Sequence, residues 1–167
     1  MKNHDVPVTT AVRALRSSNV PFVPHFYDYV DHGGTKHAAA SLRVNEHAVV
    51  KTLVMETQET GRKKAFLVLM HGDREVSTKQ LARLLGVKAV SPASESDVER
   101  ITGYVTGGVS PFGTRTQLTV YVEETILELE KIYLNGGKRG FLVEISAQEL
   151  SQVLGAIPIR TGIERRG

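Results

Sequence analysis

Apolar and polar positions follow two different periods along this chain, and the changes between them mark out short elements. Thr9–Ser18 carries Val12 and Leu15 three apart, the spacing of one helix face. From Val20 the run VPFVPHFYDY reads as extended, and its two prolines confine it to a sheet edge or an irregular path. Thr35 can cap a short helix through HAAASL that ends near Val44-Asn45. Ala48–Thr57 and Lys63–Gly72 read as strands joined by a polar connection containing Gly61, which predicts a hairpin. Ser77 caps a helix, STKQLARLLG, with Leu81, Leu84 and Leu85 toward the core and Gly86 as its stop. VKAV predicts a brief strand, SESDVERITG a short helix and TQLTVYVEE a further strand. LEKIYLNGGKRGFLVEI predicts a second hairpin turning at Asn135-Gly136. Ser146-Ala147-Gln148-Glu149 has the form of a capping box for a last helix ending at Gly155. Interspersed helices and strands with hairpin connections predict an α+β fold on a mixed or mainly antiparallel sheet, not a doubly wound parallel one. No Pro/Gly/Ser-rich linker or internal repeat divides the chain, so residues 1–167 are expected to form one domain.

Composition narrows the chemistry. The chain has no cysteine, which excludes a disulfide framework, a thiolate nucleophile and a Cys-based zinc site, and suits the cytoplasm. The N-terminus, MKNHDVPVTT, lacks the apolar core of a signal peptide. No apolar run approaches the roughly 20 residues that span a bilayer, so no membrane association is expected. A net charge of +3 tolerates an anionic partner. The basic residues are scattered over Arg62-Lys63-Lys64, Lys138-Arg139 and Arg165-Arg166, which does not predict duplex DNA binding but leaves room for a local phosphate contact.

Two features carry candidate chemistry. GYVTGGVSPFG, Gly103–Gly113, packs four glycines and a proline into one stretch. It is either a tight turn or a loop that lets another molecule approach the main chain closely, and Pro111 stiffens its far end by pushing Ser110 toward extended geometry. It is not a Walker A loop, because G-x-x-x-x-G-K-[ST] is absent, and Gly136-Gly137-Lys138 sits at a hairpin; G-x-G-x-x-G is absent too. Lys51 is the second feature, a cation in the middle of a strand with two mostly apolar faces. Either it snorkels to solvent, or it faces a ligand anion across a cleft. There is no G-x-S-x-G elbow, the six histidines lack metal-ligand spacing, and Glu123, Glu124, Glu128 and Glu130 read as a solvated acidic face. No protein-borne nucleophile, metal site or cofactor is predicted.

VVKTL at Val49–Leu53, GYVTGGVSPFG and NGGKRG at Asn135–Gly140 occur in the order and spacing of the YbaK/EbsC family, which is similar to the editing domain of bacterial prolyl-tRNA synthetase. The resemblance runs from the first helix to the last. It implies a mixed α/β fold with a curved, partly barrel-like sheet flanked by helices. It also implies a free-standing deacylase that cleaves the ester of mischarged tRNA, typically Cys-tRNA(Pro), with prolyl-tRNA synthetase as a candidate partner. By the same resemblance Lys51 orients the tRNA 3′ end or holds its terminal phosphate, with Gly107 and Gly108 supplying main-chain contacts at the reacting ester. Tyr27, Thr52, Val109, Ser110, Pro111, Gly136 and Gly137 are then the binding residues for the aminoacylated CCA end. The family's chemistry is substrate-assisted, the cysteinyl thiol attacking its own ester, which asks the protein mainly for positioning. Two positions depart from the family pattern. His25-Phe26-Tyr27-Asp28-Tyr29-Val30 lacks the second histidine and the aspartate of H-x-Y-x-H-D, and Leu142 stands where Cys-clearing relatives carry an acid. Clearance of alanine or serine, or binding of an RNA 3′ end or a synthetase without hydrolysis, are the competing readings.

Overall fold

The structure, a computed structural model, describes residues 5–59 and 61–166. Three sheets organise it. Strands β2 (Val50–Thr57), β3 (Ala65–His71), β5 (Val90–Pro92), β6 (Val120–Glu123) and β9 (Ile157–Ile159) form a five-stranded sheet in the order β5-β2-β3-β6-β9. β1 (Val23–Phe26), β7 (Lys131–Lys138) and β8 (Phe141–Ser146) form a three-stranded antiparallel sheet with β8 in the middle. β4 (Arg74–Val76) pairs with β10 (Gly162–Glu164). All pairings are antiparallel except β3 with β6 and β6 with β9. A bridge between Val49 and Tyr133 joins the two larger sheets, so they curve around one shared core. That core takes Val50 and Val54 from β2, Leu67 and Leu69 from β3, and Leu134 and Val143 from the second sheet. Helix α1 (Thr10–Ser17) closes it with Ala11, Val12 and Leu15, and α5 (Gln148–Leu154) adds Leu150. The fold is the mixed α+β, mainly antiparallel one expected.

Most elements follow from local sequence. The Thr9 hydroxyl accepts from the Val12 N–H to cap α1. Ser77 caps α3 (Thr78–Leu85) and Ser94 caps α4 (Glu95–Thr102) in the same way. The hairpin of β2 and β3 is present, and Pro24 lies in an edge strand, where its missing N–H costs no ladder bond.

Tertiary contacts override the sequence reading at several points. The Thr35 hydroxyl does not cap α2 (Gly34–Leu42); it lies within the helix and donates to the Glu46 carboxylate and the Gly72 carbonyl. Leu84 is 51% exposed, and α3 is anchored by Leu81 and Ala82 against Phe66 and Val68. Of TQLTVYVEE only Val120–Glu123 is strand, and it runs parallel to β3. The brief strand expected at VKAV begins only at Val90. The second hairpin reverses at Arg139-Gly140, not at Asn135-Gly136. Asn135 pairs with Leu142 and Lys138 with Phe141, leaving Gly136 and Gly137 as a bulge. The Asn135 Oδ1 accepts from the N–H groups of Gly137 (2.6 Å) and Lys138 (3.0 Å), which stabilises the bulge. Ser146 does not open a capping box; it ends β8 opposite Lys131, and Ala147 precedes α5. Glu123 belongs to no solvated face. It is 7% exposed, and its carboxylate accepts from the N–H groups of Thr161 and Gly162, both at 2.8 Å. Those bonds fasten the chain between β9 and β10.

Candidate functional site

β3 covers one edge of β2 throughout, but the other edge is shared. β5 pairs there only with Met55–Thr57, and β7 reaches β2's start only through the Val49 bridge. Lys51–Leu53 therefore has no strand partner on that side among the described residues. A cavity of about 630 Å³ opens at this gap. Its lining includes the N-terminal part of α2, Tyr27 and Tyr29, the loop residues Thr106, Gly107 and Val109, and Glu75, Val76 and Pro92.

Lys51 is half-buried in this wall, and its ammonium donates to the carbonyl of Arg74 on β4. Burial, helped by the nearby Arg165, pushes its pKa below the ordinary lysine value, while Glu75, Glu46 and Asp73 pull the other way. Thr52 beside it also lines the cavity, and its hydroxyl is buried with no hydrogen-bond partner among the described residues. Glu46 meets Arg165 through both oxygens at 2.8 and 2.9 Å. That pair and the Thr35 hydroxyl hold the Glu46 carboxyl below its usual range.

Behind the wall, His47 and His71 stack with ring centroids 3.7 Å apart, and His47 Nδ1 lies 2.9 Å from Asp73. Ligand atoms of these three residues fall within 4.8 Å of one another. His71 is nonetheless fully used: its Nδ1–H donates to the His47 carbonyl (2.7 Å), and its Nε2 accepts from the Thr125 hydroxyl (2.6 Å). The trio is a hydrogen-bond network holding a neutral His71, whose pKa burial lowers. A base whose folded pKa is depressed takes up protons more readily when unfolded. Stability should thus decline as pH falls from about 6.5, the unfolded histidine value, toward the lower folded one. Urea midpoints from pH 7.5 to 5.5 should fall in the wild type and fall less steeply in His71→Gln.

The glycine loop is held by the neighbouring hairpin. The Gly107 carbonyl accepts from Asn135 Nδ2 (3.1 Å) and the Thr106 carbonyl from Arg139 Nε (2.9 Å). The Arg139 guanidinium lies 5.0 Å over the Tyr29 ring. Gly107 has φ +90°, and a Cβ there would sit 2.7 Å from the Tyr29 hydroxyl, so only glycine fits. The Gly108 N–H is used in a turn to the Val105 carbonyl (2.9 Å). The N–H groups of Gly107 and Val109 have no acceptor among the described residues.

The family described as aminoacyl-tRNA editing domain matches residues 33–153. The chain belongs to that family. EbsC of Enterococcus faecalis, provisionally named a Cys-tRNA(Pro)/Cys-tRNA(Cys) deacylase, is 30% identical over 143 residues, covering 85% of each chain. A proline--tRNA ligase of Limosilactobacillus fermentum is 28% identical over 105 residues, which are 62% of this chain and 18% of the ligase. A crystal structure described as a candidate trans-editing enzyme for prolyl tRNA synthetase superposes with TM-score 0.78 at 25% identity, covering 97% of this chain and 100% of that one.

Within this editing domain, Tyr27, Lys51, Thr52, Gly107 and Val109 line the one cavity. Gly108, Ser110, Pro111, Gly136 and Gly137 do not. Gly108 packs on the backbone of Lys138 and Arg139; Ser110 is fully buried, its Oγ accepting from the Phe112 N–H (3.2 Å); and Pro111 is buried beside it. Gly136 lies against the Phe141 ring and Gly137 against Tyr104 and Thr9. The cavity also takes in Tyr29, His37, Glu75, Asn135 and Arg139, which the sequence did not single out. Tyr29 was accessible by alternation from Tyr27. Asn135 read as a turn residue at the start of NGGKRG, with no role of its own in the site, and Glu75 sits on a three-residue strand with no local signature. Leu142 is 4% exposed and packs with Ala38 and Val49.

Proposed function

We propose that this chain is a trans-editing deacylase that hydrolyses the ester of mischarged tRNA in the cavity between Lys51 and the glycine loop. The observation that carries the reading is that the half-buried Lys51 lines one cavity together with Gly107 and Val109, whose amides have no acceptor among the described residues. Lys51 holds the phosphate of the terminal adenosine, since a desolvated ammonium gains most from an anion. The Gly107 and Val109 N–H groups donate to the charge that develops on the ester oxygen. Thr52 lines the wall beside the bound 3′ end, and Tyr27 contacts the adenosine or the aminoacyl group. The partner is the single-stranded CCA end, with prolyl-tRNA synthetase as the source of delivered substrate; the setting of such a reaction is the cytoplasm.

With Cys-tRNA(Pro) the cysteinyl thiol attacks its own ester carbon. A C–S bond forms, the ester C–O bond breaks, and the thiol proton leaves with the terminal ribose oxygen. Positioning supplies most of the rate. Hydrolysis of Cys-tRNA(Pro) with an S-methylcysteinyl ester left intact is the expected result, and equal cleavage of both would exclude thiol attack. The buried Leu142 favours a second reading. Its apolar wall with Ala38 and Val49 suits alanine, which would then be released by water, and the same assay on alanyl-tRNA separates the two.

A further inference from the structure

Three carboxylates act on the Lys51 ammonium: Glu75, Glu46 and Asp73. Two are committed elsewhere. Glu46 grips Arg165 with both oxygens, and Asp73 sits on His47. The Glu75 carboxylate has no hydrogen bond or ion pair among the described residues, although the residue lines the same cavity and is only part-exposed. Lys51 does not pair with it either, because the ammonium is turned to the Arg74 carbonyl. The remaining carboxylates of the cavity are poor competitors. Asp31 is 79% exposed beside His32, and Glu95 is exposed in the first turn of α4. The backbone beneath Glu75 is fixed, since Glu75 lies opposite Ile163 in the β4–β10 pair.

One cavity thus offers a cation and an anion that act on each other electrostatically but form no contact ion pair among the described residues. An aminoacyl ester of adenosine carries the complementary charges, a phosphate and a free α-ammonium. We propose that Glu75 anchors the α-ammonium of the esterified amino acid, so that the site selects free aminoacyl esters over N-acylated, peptidyl and α-hydroxyacyl ones. This rests on the deacylase reading of the cavity and adds a discrimination that reading does not contain. A charge-assisted contact in a partly desolvated wall is the kind of interaction that separates an amine from an isosteric hydroxyl. N-acylated and peptidyl esters lose the cation altogether, so peptidyl-tRNA is spared by the same residue.

The test uses two non-hydrolysable ligands: 3′-(alanylamino)-3′-deoxyadenosine 5′-phosphate and its lactyl counterpart, in which a hydroxyl replaces the amine. Calorimetric titration of the full chain should show a preference of about tenfold for the alanyl ligand. Glu75→Gln should bring the two affinities together by weakening only the alanyl ligand, and Glu75→Asp should retain part of the preference. Matching urea midpoints establish that the variants fold. A wild-type preference that Glu75→Gln leaves unchanged, or no wild-type preference, overturns the proposal. Turnover of cysteinyl- and alanyl-tRNA is measured alongside. Glu75-dependent amine preference without turnover of either ester supports the anchor and sinks the deacylase reading. Turnover without amine preference does the reverse, and a chain that shows neither amine preference nor turnover overturns both.

Discussion

Lys51→Ala will lower kcat/KM for ester hydrolysis by about 100-fold or more while leaving the fold intact. The ammonium is held in place by the Arg74 carbonyl in a wall where burial already disfavours its charge. A substrate anion placed there gains an interaction that water would weaken, and alanine removes it entirely. The side chain contributes little to folding. Its loss relieves a desolvated charge and leaves the Arg74 carbonyl without its donor, so the change in stability stays within about 1 kcal/mol. The pH profile carries the same information. Because the folded pKa of Lys51 lies below the ordinary value of about 10.4, activity that needs the ammonium falls as pH rises through that lowered value. Arg165→Ala removes a neighbouring cation and frees Glu46, and both changes raise the Lys51 pKa, so the alkaline limb moves upward. A limb that stays fixed in Arg165→Ala, or rates in Lys51→Ala close to wild type, would remove Lys51 from the site.

The largest loss of stability is expected from Gly113→Ala. Gly113 has φ +67°, and a Cβ there would be driven into the Thr10 peptide, 2.7 Å from its carbonyl carbon. That peptide cannot easily retreat. It opens α1, whose Ala11, Val12 and Leu15 are fully buried, and the Thr10 hydroxyl donates to Tyr104, which in turn donates to the Phe112 carbonyl (2.6 Å). Left-handed backbone and overpacking against a fixed main chain together cost about 4 kcal/mol. Gly86→Ala is the control. Its φ is +69° but nothing lies within 4 Å of the added carbon, so it should cost about 1 kcal/mol. Similar urea midpoints for the two variants would contradict this account of the loop's anchorage.

The limits of the sequence reading were physical. α1 was legible because Val12 and Leu15 report a helix face within a few residues, while the part of Thr9 as its cap came from the structure. The Asn135-Gly136 turn failed because an Asn-Gly signal cannot tell a reversal from a bulge; the pairing of Lys138 with Phe141 decides it. β4, β9 and β10 have three residues each, too few for any period to register, and only their distant partners make them strands. The candidate site divides in the same way. Lys51 stood out as a cation in an apolar strand, while Glu75 on β4 became visible only once β10 had placed it. The five glycine-loop and hairpin residues outside the cavity show that a motif can be constrained by packing as tightly as by a ligand. Gly136 is fixed by the Phe141 ring in just this manner.

The clasp formed by β10 and Arg165 sets an order of assembly. Arg165 follows Glu46 by 119 positions, and β4 has no strand partner until β10 reaches it. Long-range closures of this kind are slow, and on the ribosome they wait for the downstream chain to emerge. The carbonyl that steadies Lys51 therefore gains its support last, and a nascent chain lacking residues 162–165 carries an unbraced lysine wall on an otherwise complete core.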